Sequence, residues 1–421
     1  MKCISRPLTL FVGISLFLAT ANARGQEWIR FRGPNGSGIS ESTFPAKFTE
    51  HDIAWNVALP GTGHSSPVIW GDKIFITSTD EALAHRIVAC LSAKDGSLLW
   101  KREFPFGAYR KHGDNSYTSA TPAVDADRVY VCWNAPEEFT LMALDHKGAD
   151  AWKIDLGAFI SQHGGGNSPI VVGDVVVLGD DQEGAGSSFV FGVDRATGKI
   201  IWKTPRKTAK FSAATPVVFH PQSGPDQVVI TSQAEGMTGI DPKTGKVVWQ
   251  AAGIFDSRTV GSPTVGDGLI FATCGEGPGG HFLNAVRPGA DGSAKIAWKI
   301  RSETPYVPTP LARGDRLFYW SDRGMVTCAD AATGKTIWQD HVPGSYYSSP
   351  VCAGEVLFNV TKKGEVVAIS AGEKFQLLGQ TALNDKCQAT IAISGGRMYI
   401  RTLTHLFAIK GIGGQAMIDS N

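Results

Sequence analysis

"GVDRATGKIIW", Gly192 to Trp202, is the most informative stretch of the sequence because it recurs along the chain in nearly the same form. The clearest other copies are "GIDPKTGKVVW" at 239–249 and "CADAATGKTIW" at 328–338, and "CLSAKDGSLLW" at 90–100 is close. In each copy Asp and Thr side chains can bond turn amides, and the glycine suits the positive φ of a tight hairpin. A small residue on the neighbouring strand leaves room for the closing indole. The repeat therefore predicts a hairpin that ends on a buried tryptophan.

A second signal lies between these copies. A Ser or Thr followed by Pro opens a β-rich run at Ser66, Thr121, Ser168, Thr215, Ser262, Thr309 and Ser349, and Thr390-Ile391 is a degenerate eighth. The openings are about 46 residues apart on average, which is typical of a four-stranded propeller blade. Each unit is expected to close on a tryptophan that docks against the neighbouring blade, at Trp55, Trp100, Trp152, Trp202, Trp249, Trp298 and Trp338. Leu378 takes this place in the seventh unit.

The last unit, "ATIAISGGRMYIRTLTHLFAIK", supplies three strands and lacks a closing strand. An unmatched closing strand, "HDIAWNVALP" with Trp55, stands before the first opening. A ring closed by this strand would remove exposed sheet edges. The sequence therefore predicts an all-β, eight-bladed propeller of four-stranded antiparallel blades over residues 51–412. An N-terminal strand is expected to complete the last blade.

The first residues have the pattern of an export signal. Lys2 and Arg6 precede an apolar stretch, Leu8 to Ala19, and Ala21-Asn22-Ala23 is a small-x-small cleavage site. The stretch of about 12 residues is shorter than the ~20 needed to span a bilayer. We expect a signal peptide over 1–23, a leader over 24–50 and a tail over 413–421, with no transmembrane span in the mature chain. The expected location is periplasmic or otherwise extracytoplasmic.

Charge and cysteine content exclude several classes of protein. The 40 basic and 39 acidic residues leave a net charge of +1, which argues against nucleic acid as a partner. The six cysteines beyond the leader lie inside β-rich units and are read as small buried residues rather than as a disulfide scaffold.

The repeat Asp-x-x-Thr-Gly-x-x-x-Trp, together with the leader "WIRFRGPNGSG" at 28–38, resembles the pyrroloquinoline-quinone-like (PQQ-like) repeat β-propeller family. This family includes quinoprotein alcohol dehydrogenases and BamB-like proteins. For the enzymes the resemblance implies two adjacent cysteines, a calcium ion held by Glu, Asn and Asp, and a tryptophan beneath the quinone. No two cysteines are adjacent here, and the acidic "GDDQEGAG" at 179–186 lacks the ligand spacing of a calcium loop. No catalytic residue, metal site or cofactor is predicted, and PQQ with calcium belongs to the alternative function only.

The segments that precede the Ser/Thr-Pro openings should gather on one face of a propeller, opposite the tight turns. One of them, "SQHGGGNSP" at 161–169, resembles an oxyanion-hole turn, but no Gly-x-Ser-x-Gly nucleophile turn accompanies it. It is therefore read as the opening loop of the third blade, with glycines that let it bend toward the axial funnel. The residues predicted to bind a ligand at the funnel rim are His64, His112, Asn115, Tyr117, His163, Asn167, Arg258, Tyr306, Tyr346 and Lys386.

Two functions are consistent with these observations. The first is an exported, non-catalytic propeller that acts as a ligand-binding or protein-interaction scaffold in the cell envelope. Its partner would be a polar small molecule, a glycan or an envelope protein, and the protein is expected to be a monomer. The alternative is a PQQ-dependent alcohol or sugar dehydrogenase with an altered cofactor site.

Overall fold

The structure is a computed structural model that describes residues 27–184, 188–208, 210–277 and 279–413. The predicted signal peptide and residues 414–421 of the predicted tail lie outside these ranges. The helical elements of the described residues are two short 3₁₀ turns, Pro34–Gly36 and Glu50–Asp52. No helix within these ranges is long and apolar enough to cross a membrane. The strands form eight sheets, which confirms the predicted eight-bladed propeller.

The first four blades follow one another along the chain, and each is an antiparallel meander. Two strands precede them, β1 Ile39–Ser40 and β2 Ile53–Ala58. Blade one contains β3 Val68–Trp70, β4 Lys73–Asp80, β5 His85–Ser92 and β6 Leu98–Pro105. Blade two contains β7 Ala123–Val124, β8 Arg128–Ala135, β9 Glu138–Asp145 and β10 Asp150–Asp155. Blade three contains β11 Ile170–Val172, β12 Val175–Asp180, β13 Ser188–Asp194 and β14 Ile200–Arg206. Blade four contains β15 Val217–Phe219, β16 Gln227–Ser232, β17 Gly236–Ile240 and β18 Val247–Ala251.

The remaining blades include the two that also use the N-terminal strands. Blade five contains β19 Thr264–Gly266, β20 Leu269–Glu276, β21 Gly279–Pro288 and β22 Ala294–Ile300. Blade six contains β23 Leu311–Arg313, β24 Arg316–Trp320, β25 Met325–Asp330 and β26 Thr336–His341. Blade seven contains β27 Val351–Ala353, β28 Val356–Val360, β29 Glu365–Ser370 and β30 Leu377–Ala382, and β1 adds to it. Blade eight contains β31 Ala392–Ser394, β32 Arg397–Arg401, β33 His405–Lys410 and β2.

The eighth blade joins the two ends of the chain. Its outer strand β2 pairs antiparallel with β33, so that Trp55 lies opposite Ala408. The Leu59 N–H extends this pairing by donating to the Thr404 carbonyl at 2.8 Å. The predicted closure by an N-terminal strand is therefore confirmed. The strand covers an edge that β33 would otherwise expose.

The outer-strand indoles contact the next blade around the ring. Six of the seven tryptophans donate their indole N–H to a backbone carbonyl of the following blade, at 2.9 to 3.3 Å. The glycine of the following turn lies against the ring, since a Cβ on Gly245 would be 2.7 Å from the Trp202 ring. Trp249 differs, because its N–H donates to the Gln227 side chain of its own blade at 2.6 Å. The Gly and Trp of the repeat are thus mostly partners across blade boundaries.

Blade seven departs from this pattern, and the assignment of Leu378 to the tryptophan position was wrong by one residue. The position opposite Ala368 is Gly379, and Leu378 is 39% exposed. A Cβ on Gly379 would lie 2.3 Å from the Ala46 carbonyl oxygen, so the leader occupies the space of the missing indole. Phe44 and Phe48, which flank this contact, are buried in the apolar core. The leader is therefore part of the propeller and lies against blade seven.

All six cysteines of the described residues are buried free thiols, as the sequence suggested. Burial raises the pKa of the Cys90 and Cys352 thiols to about 12. Such thiols stay protonated and unreactive at neutral pH.

We predict that removal of residues 24–60 opens the ring. The truncated chain loses β2, so the edge of β33 is exposed and the protein aggregates or unfolds without cooperativity. Size-exclusion chromatography and thermal unfolding measure both effects. A shorter truncation of residues 24–48 keeps β2 and should stay monomeric while losing stability. A 24–60 truncation that is monomeric and as stable as the mature chain would contradict the closure.

We predict that Trp249→Ala lowers the free energy of unfolding by ~3–5 kcal/mol, because it leaves a void in a packed core. Trp249 is 2% exposed and packs with apolar residues of blades four and five. Its neighbour Val248 faces solvent at 39% exposure and offers a matched control. Val248→Ala should change stability by less than ~0.5 kcal/mol. Chemical denaturation of both variants makes the comparison, and equal small effects would show that the core contact is unimportant.

Candidate functional site

The serine and threonine hydroxyls of the openings form a ring around the propeller axis. In seven of the eight steps, the amide N–H of one opening residue donates to the hydroxyl oxygen of the next blade's opening residue at 2.9 to 3.0 Å. The Thr390 N–H donates to Ser66, so the ring continues across the joint between the two chain ends. We call these residues the hydroxyl ring: Ser66, Thr121, Ser168, Thr215, Ser262, Thr309, Ser349 and Thr390.

The proline after most ring residues explains why this pattern recurs in the sequence. A proline holds the preceding residue in an extended conformation, which directs the hydroxyl of that residue at the neighbouring blade. Proline also lacks an N–H, while its carbonyl remains an acceptor. The carbonyls of Pro216, Pro310 and Pro350 each accept a hydrogen bond from the leader.

Residues 28–40 of the leader occupy the axial channel on the turn side of the hydroxyl ring. The Arg30 guanidinium donates to Pro216 of blade four. Arg32 donates to Pro310 and Pro350, of blades six and seven, at 3.0 and 3.1 Å. Trp28 forms a bridge to the inner strand of blade one, and β1 pairs in parallel with β27 of blade seven. Because these contacts reach blades on several sides of the axis, the leader plugs the channel.

The Asn35 side chain anchors the plug to blade four by both donating and accepting a hydrogen bond. Its amide nitrogen donates to the Val218 carbonyl at 2.7 Å, and its oxygen accepts from the Val218 N–H at 2.8 Å. The Asn35 side chain thus makes the same pair of hydrogen bonds to β15 that the backbone of a neighbouring strand would make. Phe31 lies between the two channel arginines in sequence and lines the cavity above the plug. The leader thus supplies the floor of the funnel.

Three guanidinium groups near the axis are fully buried without a carboxylate partner among the described residues. Arg30, Arg32 and Arg401 donate to backbone carbonyls or hydroxyls. Burial lowers the pKa of each of these groups to about 9. They keep their charge at neutral pH, because a pKa of about 9 is still above 7. Of the three, Arg30 and Arg32 lie at the proline carbonyls that follow the ring residues, so they make the lower end of the funnel electropositive.

The opening loops form the upper wall of the funnel. His163 Nδ1 lies 3.7 Å from Glu183 Oε1, and Arg258 Nη2 lies 3.6 Å from the same carboxylate oxygen. The His112 and His163 rings stack with centroids 5.6 Å apart. Burial lowers the pKa of His64 to about 4, so this imidazole is neutral at pH 7. Hydrogen-bond donors and aromatic rings dominate this wall.

One opening loop reaches across the mouth of the funnel. Asp114 of the blade-two loop contacts Lys362 of blade seven, with Nζ 2.5 Å from Oδ1. The Tyr347 hydroxyl donates to the other Asp114 oxygen at 3.3 Å. The Lys362 ammonium also lies 4.3 Å from the centre of the Tyr347 ring. The cavity between this bridge and the plug has a volume of about 290 Å³.

The structure brings six of the ten predicted ligand residues to the cavity wall. These are His64, His112, Asn115, His163, Arg258 and Tyr306. The other four lie elsewhere and make local contacts. Tyr346 is fully buried against Trp320, and Asn167 is buried with its amide donated to the Ser212 carbonyl. Tyr117 donates to the Tyr109 carbonyl, and Lys386 is exposed.

The three glycines after His163 are explained by close packing. Gly164 has a φ of +82°, which favours glycine. A Cβ on Gly165 would lie 2.1 Å from Asn134 Oδ1, so no larger residue fits there. The run therefore brings the blade-three loop, with His163, against the blade-two strands.

The sequence did not predict the floor of the funnel or the bridge from Asp114 to Lys362 across its mouth. Phe31 and the two channel arginines sit in a leader that shows no repeat, so periodicity could not place them. Asp114 was not singled out, because its partner Lys362 is 248 residues away. The Ser/Thr-Pro signal was read only as a strand opening. Its recurrence at one level of every blade could have indicated a ring of hydroxyls on the axis.

Asp256, Ser257 and His281 lie together but are not arranged as a hydrolase relay. Ser257 Oγ and Asp256 Oδ1 both lie near the same ring nitrogen of His281, Nδ1, at 2.9 and 3.2 Å. A nucleophile relay needs the serine and the carboxylate on opposite nitrogens of the imidazole.

The described residues also do not fit the quinone and calcium site that the resemblance implies for the enzymes. Among them, no group of three or more His, Cys, Asp or Glu side chains is placed to hold a metal ion. The floor of the cavity is Phe31, and the residues that line it include no tryptophan. We derive no chemical step through a quinone.

Solved structures of two natural proteins share this fold. The chain superposes on BamB from Moraxella catarrhalis with a TM-score of 0.61 and 16% identity, covering 86% of this chain and 97% of that one. It superposes on the quinohemoprotein alcohol dehydrogenase ADHIIG from Pseudomonas putida HK5 with a TM-score of 0.63 and 14% identity, covering 94% and 81%. At these identities the likeness shows the fold alone.

A curated relative matches over a shorter stretch. Tetrathionate hydrolase from Acidianus ambivalens is 27% identical over 130 residues, which is 27% of this chain and 24% of that protein. The chain therefore matches about a quarter of the length of this relative.

The sequence profile of one family covers most of the chain. The profile described as outer membrane protein assembly factor BamB matches residues 84–285 and 284–415. These matches cover the four-stranded meanders of blades two to seven and parts of blades one and eight, since β2 of blade eight lies before residue 84. The chain belongs to this BamB-like family of PQQ-like repeat β-propellers.

Proposed function

We propose that the protein is an exported, non-catalytic binding propeller of the cell envelope that holds a polar small molecule in its axial funnel. The supporting observation is the cavity of about 290 Å³, which collects side chains from all eight blades above the leader plug. Small-molecule sites are typically concave, mostly preformed and begin at about this volume.

The wall chemistry suits a ligand that accepts hydrogen bonds. His163 and Arg258 line the cavity from blades three and five. Phe211 and Tyr306 offer apolar surface beside them. Polar candidates include a glycan, an organic acid or a peptide.

Localisation and partners are part of the proposal. The export-signal pattern of residues 1–23 supports an extracytoplasmic location, as does the description of the family as an outer membrane assembly factor. An envelope protein could dock on the same face, and we expect the protein itself to be a monomer. Because the curated relative is named for tetrathionate hydrolysis, sulfur oxyanions belong in any ligand screen.

We predict that His163→Ala and Arg258→Ala weaken ligand binding by about tenfold or more, equal to about 1.4 kcal/mol. Each change removes a donor from the wall of the cavity. The measurement is a calorimetric screen of envelope glycans, small acids and extracted envelope proteins against wild type and both variants. Thermal unfolding of the variants separates lost binding from lost folding, since Arg258 is mostly buried.

Lys199→Ala and Lys246→Ala are the matched controls. Both lysines are exposed in the tight turns of the opposite face. If the lysine substitutions lower ligand affinity and the His163 and Arg258 substitutions do not, the ligand binds on the opposite face of the propeller. Dye reduction by alcohols after addition of PQQ and calcium would instead favour the dehydrogenase alternative.

A further inference from the structure

We infer that the ligand of the funnel is an oxyanion, a sulfate, sulfonate, phosphate or carboxylate group, seated on the axis against the hydroxyl ring. This inference rests on the proposed function and specifies its ligand class. It follows from three features: hydroxyl hydrogens without acceptors, buried positive charge beneath them, and a shortage of acceptors on the wall.

The first feature is a set of unused donors. Seven of the eight ring hydroxyl oxygens accept an amide hydrogen bond, yet no ring hydroxyl donates to any acceptor in the described part of the chain. All eight ring residues line the cavity. A hydroxyl that accepts an N–H still has its own hydrogen to donate. The funnel therefore has a ring of O–H donors at its narrow end.

The second feature is the charge beneath the ring. Arg30 and Arg32 donate to carbonyls of the proline residues that directly follow ring residues. One residue along a strand is about 3.3 Å, so the guanidinium groups lie close below the ring. Carbonyls satisfy their N–H groups but do not neutralise their charge. In a low-dielectric interior such charge attracts an anion strongly.

The third feature is that carboxylate acceptors of hydrogen bonds are scarce on the wall of the cavity. Asp114 is the one carboxylate among the residues that line the cavity. Both of its oxygens are engaged, one by Lys362 and the other by Tyr347. Arg258 lines the opposite side of the wall, and Glu183 and Glu276 lie 3.6 and 3.9 Å from its guanidinium. A ligand rich in acceptor oxygens and negative charge complements these groups best.

Thr215 offers a clean test of the ring. Its hydroxyl lines the cavity and takes no part in an inter-blade hydrogen bond within the described residues. Thr215→Val therefore removes one axial O–H group and keeps the shape and the ring bonds. Thr264, buried in β19 and away from the cavity wall, provides the matched Thr264→Val control. Neither change removes a charge.

The experiment titrates the mature protein with sulfate, inorganic phosphate and succinate, and with glucose as a neutral probe, by calorimetry at low and high sodium chloride. We expect at least one anion to bind in preference to glucose. Its affinity should fall roughly tenfold in Thr215→Val and stay unchanged in Thr264→Val. The sulfate and phosphate arms against the succinate arm distinguish an inorganic oxyanion from an organic acid.

Three outcomes would overturn the inference. One is that no anion binds. Another is that glucose binds more tightly than every anion. The third is that Thr215→Val and Thr264→Val have equal effects on anion affinity. A neutral ligand that responds to His163→Ala would still leave the proposed binding function in place, so the two failures can be told apart.

Discussion

The hydrogen bond from a backbone amide to the opening hydroxyl of the next blade is the interaction on which the structure depends. It repeats at 2.9 to 3.0 Å around the axis and holds neighbouring inner strands at one level. Each blade is a sheet of four short strands that cannot bury its own faces. Joining the blades at the axis aligns their faces for packing, and the tryptophans do the same near the perimeter. The ring of hydroxyls at the narrow end of the funnel is therefore first a structural device.

The leader supplies the parts of the propeller that the repeats lack. Its arginines bind the proline carbonyls from inside the channel, its segment around Ala46 occupies the space of the missing indole of blade seven, and β2 completes blade eight. One segment thus closes the channel, fills the irregular blade and joins the chain ends. Buried guanidinium groups are costly, and four hydrogen bonds from Arg30 and Arg32 to carbonyl oxygens offset that cost here. The result is a funnel with a solid, electropositive floor rather than an open pore.

The repeat made the fold predictable from the sequence. The candidate site could be predicted only in part. Ser66-Pro67 and its counterparts, the Thr-Gly turns and the orphan strand around Trp55 were sufficient to predict blade number and closure. Leu378 was misplaced because a bulge in the outer strand shifts the position that faces Ala368. His163 and Arg258 could be placed on the funnel because they precede openings. Phe31, Arg32 and the Asp114 to Lys362 contact depend on long-range packing of a segment with no period, which local patterns do not encode.

The most direct measurement is a crystal structure of the mature protein soaked in selenate, with anomalous data collected at the selenium edge. Selenate matches sulfate in shape and charge, and the anomalous scattering of its selenium atom shows where it binds. We expect an anomalous peak on the axis between Phe31 and the hydroxyl ring, with Arg30 and Arg32 in the channel below. A channel without the leader, or an anion found only away from the axis, would contradict it.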